Sequence, residues 1–255
     1  VIAGHLQDDL QYVKDFQPQN EKLKHIRVLL YGPVGAGKSS FISSVSSTLR
    51  GRIATPALAS TTTSNQSFTK KYKTHKIPKE VSGKYYPFVF NDIMGLEEGT
   101  GVRVEDVKLA LKGHVKEGYT FNPVSSLSPS DSHYITQPSP EDRIHVLVCV
   151  CSANAAEIKE SVLQKMKEIR EEASDLDIPQ LAIVTKIDEA CGEIEKDLKN
   201  VYLSKHVKNK VNFSSQLGIP LNCSLPVKNY SHEINTNEDV DTLILSALKM
   251  MIDFD

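Results

Sequence analysis

The chain has 255 residues, of which 40% are hydrophobic and 24% charged, with a formal net charge of -2. This is a soluble, globular composition, long enough to bury one sizeable core, and it carries no broad basic field to attract nucleic acid or an anionic lipid surface. No apolar run approaches the ~20 residues that span a bilayer, and the cysteines Cys149, Cys151, Cys191 and Cys223 lack zinc-ligand spacing, so buried, reduced thiols in a cytoplasmic protein are expected.

In chain order, residues 1–24 predict a short helix from Leu6 to Phe16 and then a polar link containing Pro18, an N-terminal extension. The chain opens on Val1, as expected of a piece of a longer protein. From His25 the pattern alternates. Strands are expected near 25–31, 69–77, 86–91, 144–151, 181–185 and 219–224, with helices near 38–50, 103–116, 154–173, 188–209 and 237–253. Strands separated by helices predict an α/β fold with a mostly parallel sheet. The apolar runs FVF, IHVLVCVC and LAIVT suit strands covered on both faces. The last helix carries Val240, Leu243, Ile244, Ala247, Leu248 and Met251 on one stripe, a core-packing pattern. From Gly118 to Asp142, four prolines and many serines interrupt any periodicity, which predicts a long irregular insertion.

The stretch YGPVGAGKSSFI, between the first strand and the first long helix, fits G-x-x-x-x-G-K-[ST] at Gly32, Gly37, Lys38 and Ser39. Glycines let the backbone wrap so that successive amides face phosphate oxygens, and the helix N-terminus adds a favourable dipole. Gly32, Val34, Gly35, Ala36, Gly37, Lys38, Ser39 and Ser40 are therefore the expected phosphate set, with Lys38 reaching the β and γ phosphates and the Ser39 hydroxyl on Mg2+. In LAIVTKID, the T-K-x-D ending puts Asp188 where a carboxylate accepts from guanine N1 and N2, a pair of donors that adenine lacks. Lys186 would lay its stem on the base, and Thr185 would tie the strand end to the phosphate loop. In YPFVFNDIMG, the D-x-x-G ending offers Asp92 for a water-mediated hold on Mg2+ and the Gly95 amide for the γ phosphate.

The order GPVGAGKS, DIMG, TKID resembles the Ras-like GTP-binding domain. The contexts VLLYGPVGAGKSSFISSV, NDIMGLEEGTG, DRIHVLVCV, GIPLNCSLPVKNY and DTLILSALKMM resemble the interferon-induced protein 44 and 44-like family. The resemblance implies a three-layer P-loop fold with a six-stranded, mostly parallel sheet and helices on both faces. It further implies a domain over residues 25–255 with a family-specific insertion at about 96–142, GTP or GDP with Mg2+ as ligands, and an interferon-induced role in antiviral immunity. The form S-F-T-K-K resembles the switch element of the immunity-associated GTPases, which favours Thr69 as a Mg2+ ligand, with Thr61, Thr62 and Thr63 as rivals. The base-backing loop is expected around Val227, Lys228 and Asn229, although the usual Ser-Ala-Lys is absent.

Two departures bear on turnover. Leu96 stands where Ras-type enzymes carry the glutamine that orients the attacking water, and Val34 stands where they carry a glycine. Slow or partner-dependent hydrolysis is therefore expected, with no catalytic residue assigned. Glu97, Glu98 and Arg103 are candidates for the missing group, though a solvated charged loop also explains them. Three functions compete: a nucleotide-controlled switch, an assembly module pairing as a homodimer across the nucleotide face with negligible turnover, and an ATP-using phosphotransferase, against which Asp188 argues.

Overall fold

In a computed structural model, the described residues are 6–54, 70–153, 158–190, 192–202 and 217–254. One sheet holds the strands β1 (Ile26–Tyr31), β2 (Lys73–Pro78), β3 (Tyr85–Asp92), β4 (Val146–Ser152), β5 (Gln180–Thr185) and β6 (Ser224–Pro226) in the order β2-β3-β1-β4-β5-β6. All neighbours run parallel except β2, which folds back antiparallel on β3. The chain adopts the expected three-layer α/β fold. β1, β3, β4 and β5 are buried along most of their length, so their apolar runs serve both faces at once.

Helices α1 (Leu6–Asp15), α2 (Lys38–Arg50) and α7 (Glu238–Ile252) cover one face. There Phe41, Val45, Ile244 and Leu248 meet Val28, Leu30, Phe88 and Phe90 of the sheet, and Val13 of α1 joins the same core. The α2 helix ends at Gly51, whose left-handed backbone returns its N–H to the carbonyls of Ser47 and Thr48. Asn237 caps α7 by accepting from the amides of Asp239 and Val240, and an acidic first turn suits the helix dipole. On the other face, α3 (Val104–Leu111) and α4 (Glu160–Asp175) bury Val107, Leu111, Met166 and Ile169 against Leu29, Leu147 and Cys149. The short α5 (Ile187–Ala190) and α6 (Gly192–Lys196) follow β5.

Several boundaries differ from the sequence expectation. The helix expected over 103–116 stops at Leu111, because Gly113 turns the chain at φ +85 and the residues beyond it pair with the insertion, Val115 opposite Tyr134. The strand expected from 69 starts at Lys73, because Lys71 is bridged to Thr120 instead. The strand expected over 219–224 becomes a 3-10 turn, Leu221–Cys223, followed by β6. The helix expected over 188–209 is broken into α5, α6 and a 3-10 turn at Leu198–Tyr202, and its remainder lies outside the described residues. The helix expected from 154 begins at Glu160. Cys149 and Cys151 are buried free thiols, Cys223 is only half-buried, and Cys191 lies outside the described residues.

The insertion has order without periodicity. Tyr72 donates its amide to the Tyr119 carbonyl at 2.7 Å, and Gly118 and Phe121 donate to the carbonyls of Tyr72 and Lys70. Buried Asp106 of α3 accepts from the Leu127 amide at 2.7 Å and the Tyr119 hydroxyl at 3.1 Å. Asp106→Ala leaves both donors without that acceptor and is expected to cost about 1–3 kcal/mol, read by denaturant unfolding together with faster amide exchange over 118–128. Phe88→Ala, which empties a ring that contacts Phe16, Tyr86 and Phe90, is expected to cost about 3–5 kcal/mol in the same measurement.

Candidate functional site

The loop between β1 and α2 crosses the end of β4 at the closest possible approach. A Cβ on Gly32 would stand 2.1 Å from the Val150 carbonyl oxygen, so no other residue fits. Gly35 and Gly37 lie in the left-handed region, at φ +75 and +89. Gly37 caps α2 with no side-chain acceptor, and the first turn of α2 contains no acidic residue. The first amides of this helix lack intrahelical acceptors, as at any helix start, and no side chain caps them, so the dipole there favours an anion.

Lys38 opens α2 and is 7% exposed. Its ammonium donates to the carbonyls of Gly32 at 3.2 Å and Pro33 at 3.0 Å, inside the loop. Burial lowers its pKa, and the nearby Asp92 carboxylate opposes that shift. Asp92 ends β3 beside Leu30 of β1, and its Oδ2 accepts a hydrogen bond from the Ser39 hydroxyl. Among the described residues no group of three or more His, Cys, Asp or Glu side chains is placed to hold a metal ion.

Beyond Asp92 the chain closes on the phosphate loop. Gly95 lies so near Val34 that a Cβ would stand 2.5 Å from its Cγ2, and Leu96 donates its amide to the Gly32 carbonyl at 3.0 Å. The Leu96 side chain is 1% exposed, packed in the core with Val102, Val104 and Val107. Glu98 pairs with Lys159, the Glu97 carboxylate accepts from Thr100, and Arg103 donates to the Ser126 hydroxyl and the Val124 carbonyl. All three are engaged by their surroundings.

On the other flank, the Thr185 hydroxyl donates to the Ala36 carbonyl at 2.7 Å, and Asn229 Nδ2 donates to the Gly37 carbonyl at 3.1 Å. The Tyr230 amide donates to Ser44 Oγ of α2 at 2.9 Å. Lys186 holds a left-handed backbone at φ +56, the turn that leads from β5 into α5 and brings Asp188 to the same edge. Asp188 is joined there by Lys228, whose ammonium lies 3.4 Å from Asp188 Oδ2 and 3.2 Å from Glu233 Oε1. Burial works against the Lys228 charge, but Glu233 and Asp188 outweigh it and raise its pKa.

The residues from Gly32 to Ser40, Asp92, Gly95, Thr185, Lys186, Asp188, Lys228 and Asn229 therefore converge on one edge of the sheet. Thr69 and its rivals Thr61, Thr62 and Thr63 lie outside the described residues. Sequence reasoning overlooked Glu233, Ser44 and the Leu96–Gly32 contact. Only the T-K-x-D spacing hinted at a charged neighbourhood, and it did not reach as far as residue 233.

No protein-family model matches the chain. It is 34% identical over 244 residues to interferon-induced protein 44-like from Homo sapiens, which covers 94% of this chain and 54% of that protein. It is 35% identical over 246 residues to interferon-induced protein 44 from Homo sapiens, covering 95% and 55%, and 34% identical over 245 residues to the Mus musculus protein, covering 95% and 58%. The chain spans about half the length of the curated relatives it matches. Among solved structures, Toc33 from Arabidopsis thaliana in a dimerization-deficient mutant superposes with a TM-score of 0.52 at 14% identity, over 99% of this chain and 92% of that one. Toc33 with GDP and Mg2+ gives 0.51 at 15% identity over the same shares. At such identity the likeness is one of fold. Along nearly all of its own length, this chain is a homologue of the interferon-induced protein 44 and 44-like family.

Proposed function

We propose that this chain binds GTP and GDP with Mg2+ and hydrolyses GTP slowly or only with help from a partner, the γ phosphate ordering the neighbouring loops as a switch. The observation that carries this reading is the buried Lys38 ammonium held on backbone carbonyls in a loop beside an uncapped helix N-terminus. That cradle is cationic and sits at a helix start whose first amides lack intrahelical acceptors, a combination complementary to phosphate. Ser39 and Asp92 supply hard oxygen donors already in contact, a donor set that fits Mg2+. When bound, the ion would neutralise charge on the β and γ phosphates. Asp188 would accept from guanine, with Thr185 and Asn229 holding the phosphate loop in register and Lys186 against the base. We assign Thr69 as a further Mg2+ ligand.

Leu96 supports the slow turnover. Its side chain lies in the core, so it orients no water, and Val34 fills the space beside Gly95. Residues 25–255 form the nucleotide-binding domain in this reading, with 96–142 as its insertion and 1–24 as an extension. The relatives' names support an interferon-induced role, to which our reading adds antiviral defence and a place in the cytoplasm. Among the described residues no helix is long and apolar enough to cross a membrane.

A second reading, nucleotide-dependent assembly with negligible turnover, draws on the same burial of Leu96 and on the dimerization named for Toc33. Rising mass with nucleotide but no phosphate release would favour it.

Competition of GTP, GDP and ATP against fluorescent GDP tests the base reading. Guanine nucleotides are expected to compete and ATP not, with Asp188→Asn weakening GDP by about 10-fold or more, the worth of a charged hydrogen bond. Ser39→Ala is expected to remove most of the Mg2+ dependence of binding. Equal competition by ATP would overturn the guanine assignment. Leu96→Gln is expected to cost about 1–3 kcal/mol by burying an amide and to leave GTP hydrolysis slow, whereas a large gain in turnover would place this side chain near the reacting water.

A further inference from the structure

We propose that Glu233 is a specificity-determining positioning residue: it shares the Lys228 ammonium with Asp188 and so weakens that ion pair, which lets guanine take both Asp188 oxygens. The inference rests on the guanine reading of Asp188. It arises from one ammonium set between two carboxylates, 3.4 Å from Asp188 Oδ2 and 3.2 Å from Glu233 Oε1.

The two carboxylates are not equivalent. Glu233 is pinned by its own loop, since its Oε2 accepts from the amides of Ser231 at 2.7 Å and His232 at 3.1 Å. Burial pushes its carboxyl up, but the amides of Ser231 and Glu233 and the Lys228 ammonium outweigh that and keep it below the ordinary carboxylate range. The Lys228 backbone is also fixed, because the next two residues are tied to the phosphate loop and to α2 through Asn229 to Gly37 and Tyr230 to Ser44. The lysine side chain bridges two partners, of which Glu233 is the one anchored by its own loop.

Guanine presents two donors, N1–H and the exocyclic N2–H, and so needs both oxygens of Asp188. An ammonium seated on Oδ2 competes for one of them. Glu233 gives that ammonium an equally close partner, already desolvated to the same degree, with side chains 27% and 22% exposed for Glu233 and Asp188. Without the Glu233 charge, Lys228 has Asp188 alone and closes on it. Hypoxanthine offers only N1–H, so the ratio of GDP to IDP affinity reads whether the second oxygen is free.

The test is the affinity of the full chain for GDP, IDP and ADP in the wild type, Glu233→Gln and Glu233→Gln with Lys228→Met. Glutamine keeps an oxygen for the Ser231 and His232 amides, so the loop retains its anchor. Glu233→Gln is expected to weaken GDP about 10-fold and IDP less, lowering the GDP-to-IDP ratio, and adding Lys228→Met is expected to restore that ratio. Equal weakening of GDP and IDP, or no recovery when Lys228 is removed, would reduce Glu233 to a loop anchor and overturn the proposal. A wild type that does not distinguish GDP from ADP would instead overturn the guanine reading, and the role of Glu233 with it.

Discussion

Parallel pairing is the constraint on which the remaining structure depends. Because β1, β3, β4, β5 and β6 run the same way, their carboxyl ends meet at one edge of the sheet. Every connection that leaves this edge must pass close to its neighbours. Gly32 shows how little room there is, since its backbone rests against the Val150 carbonyl where any side chain would collide. The start of α2, the Asp92 carboxylate and the Asp188 carboxylate share this edge for the same topological reason, as ligand sites in open α/β sheets generally do.

The loops at this edge hold one another. Thr185 bonds to the Ala36 carbonyl and Asn229 to the Gly37 carbonyl, while Leu96 bonds to the Gly32 carbonyl from the opposite flank. The phosphate loop is therefore braced on both sides by chain segments far from it in sequence. Bracing of this kind prepares a site for binding. The position after D-x-x-G is drawn into the hydrophobic core as Leu96 and presents no polar side chain at this edge.

The insertion extends the bracing. Its backbone pairs with Lys70 to Tyr72, and its Tyr119 and Leu127 are clipped to Asp106 of α3. Aromatic contacts among Tyr72, Tyr119 and Phe121 fill the space between. A serine- and proline-rich stretch with no repeating pattern thus becomes ordered through buried hydrogen bonds and ring packing, neither of which leaves a periodic trace in sequence.

What the sequence by itself determined is whatever depends on near neighbours along the chain. The apolar runs of β1, β3, β4 and β5, the stripe on α7 and the strand, glycine loop and helix around Lys38 are local patterns, because helix and strand periods repeat every few residues. The tertiary structure decided the rest. It stopped α3 at Leu111 so that Val115 can pair with Tyr134, broke the helix expected after β5, and set Lys228 between Asp188 and Glu233. Asn229 and Gly37 are 192 positions apart, yet they share a hydrogen bond. Such contacts arise only when the sheet brings strand ends together, and no local propensity encodes them.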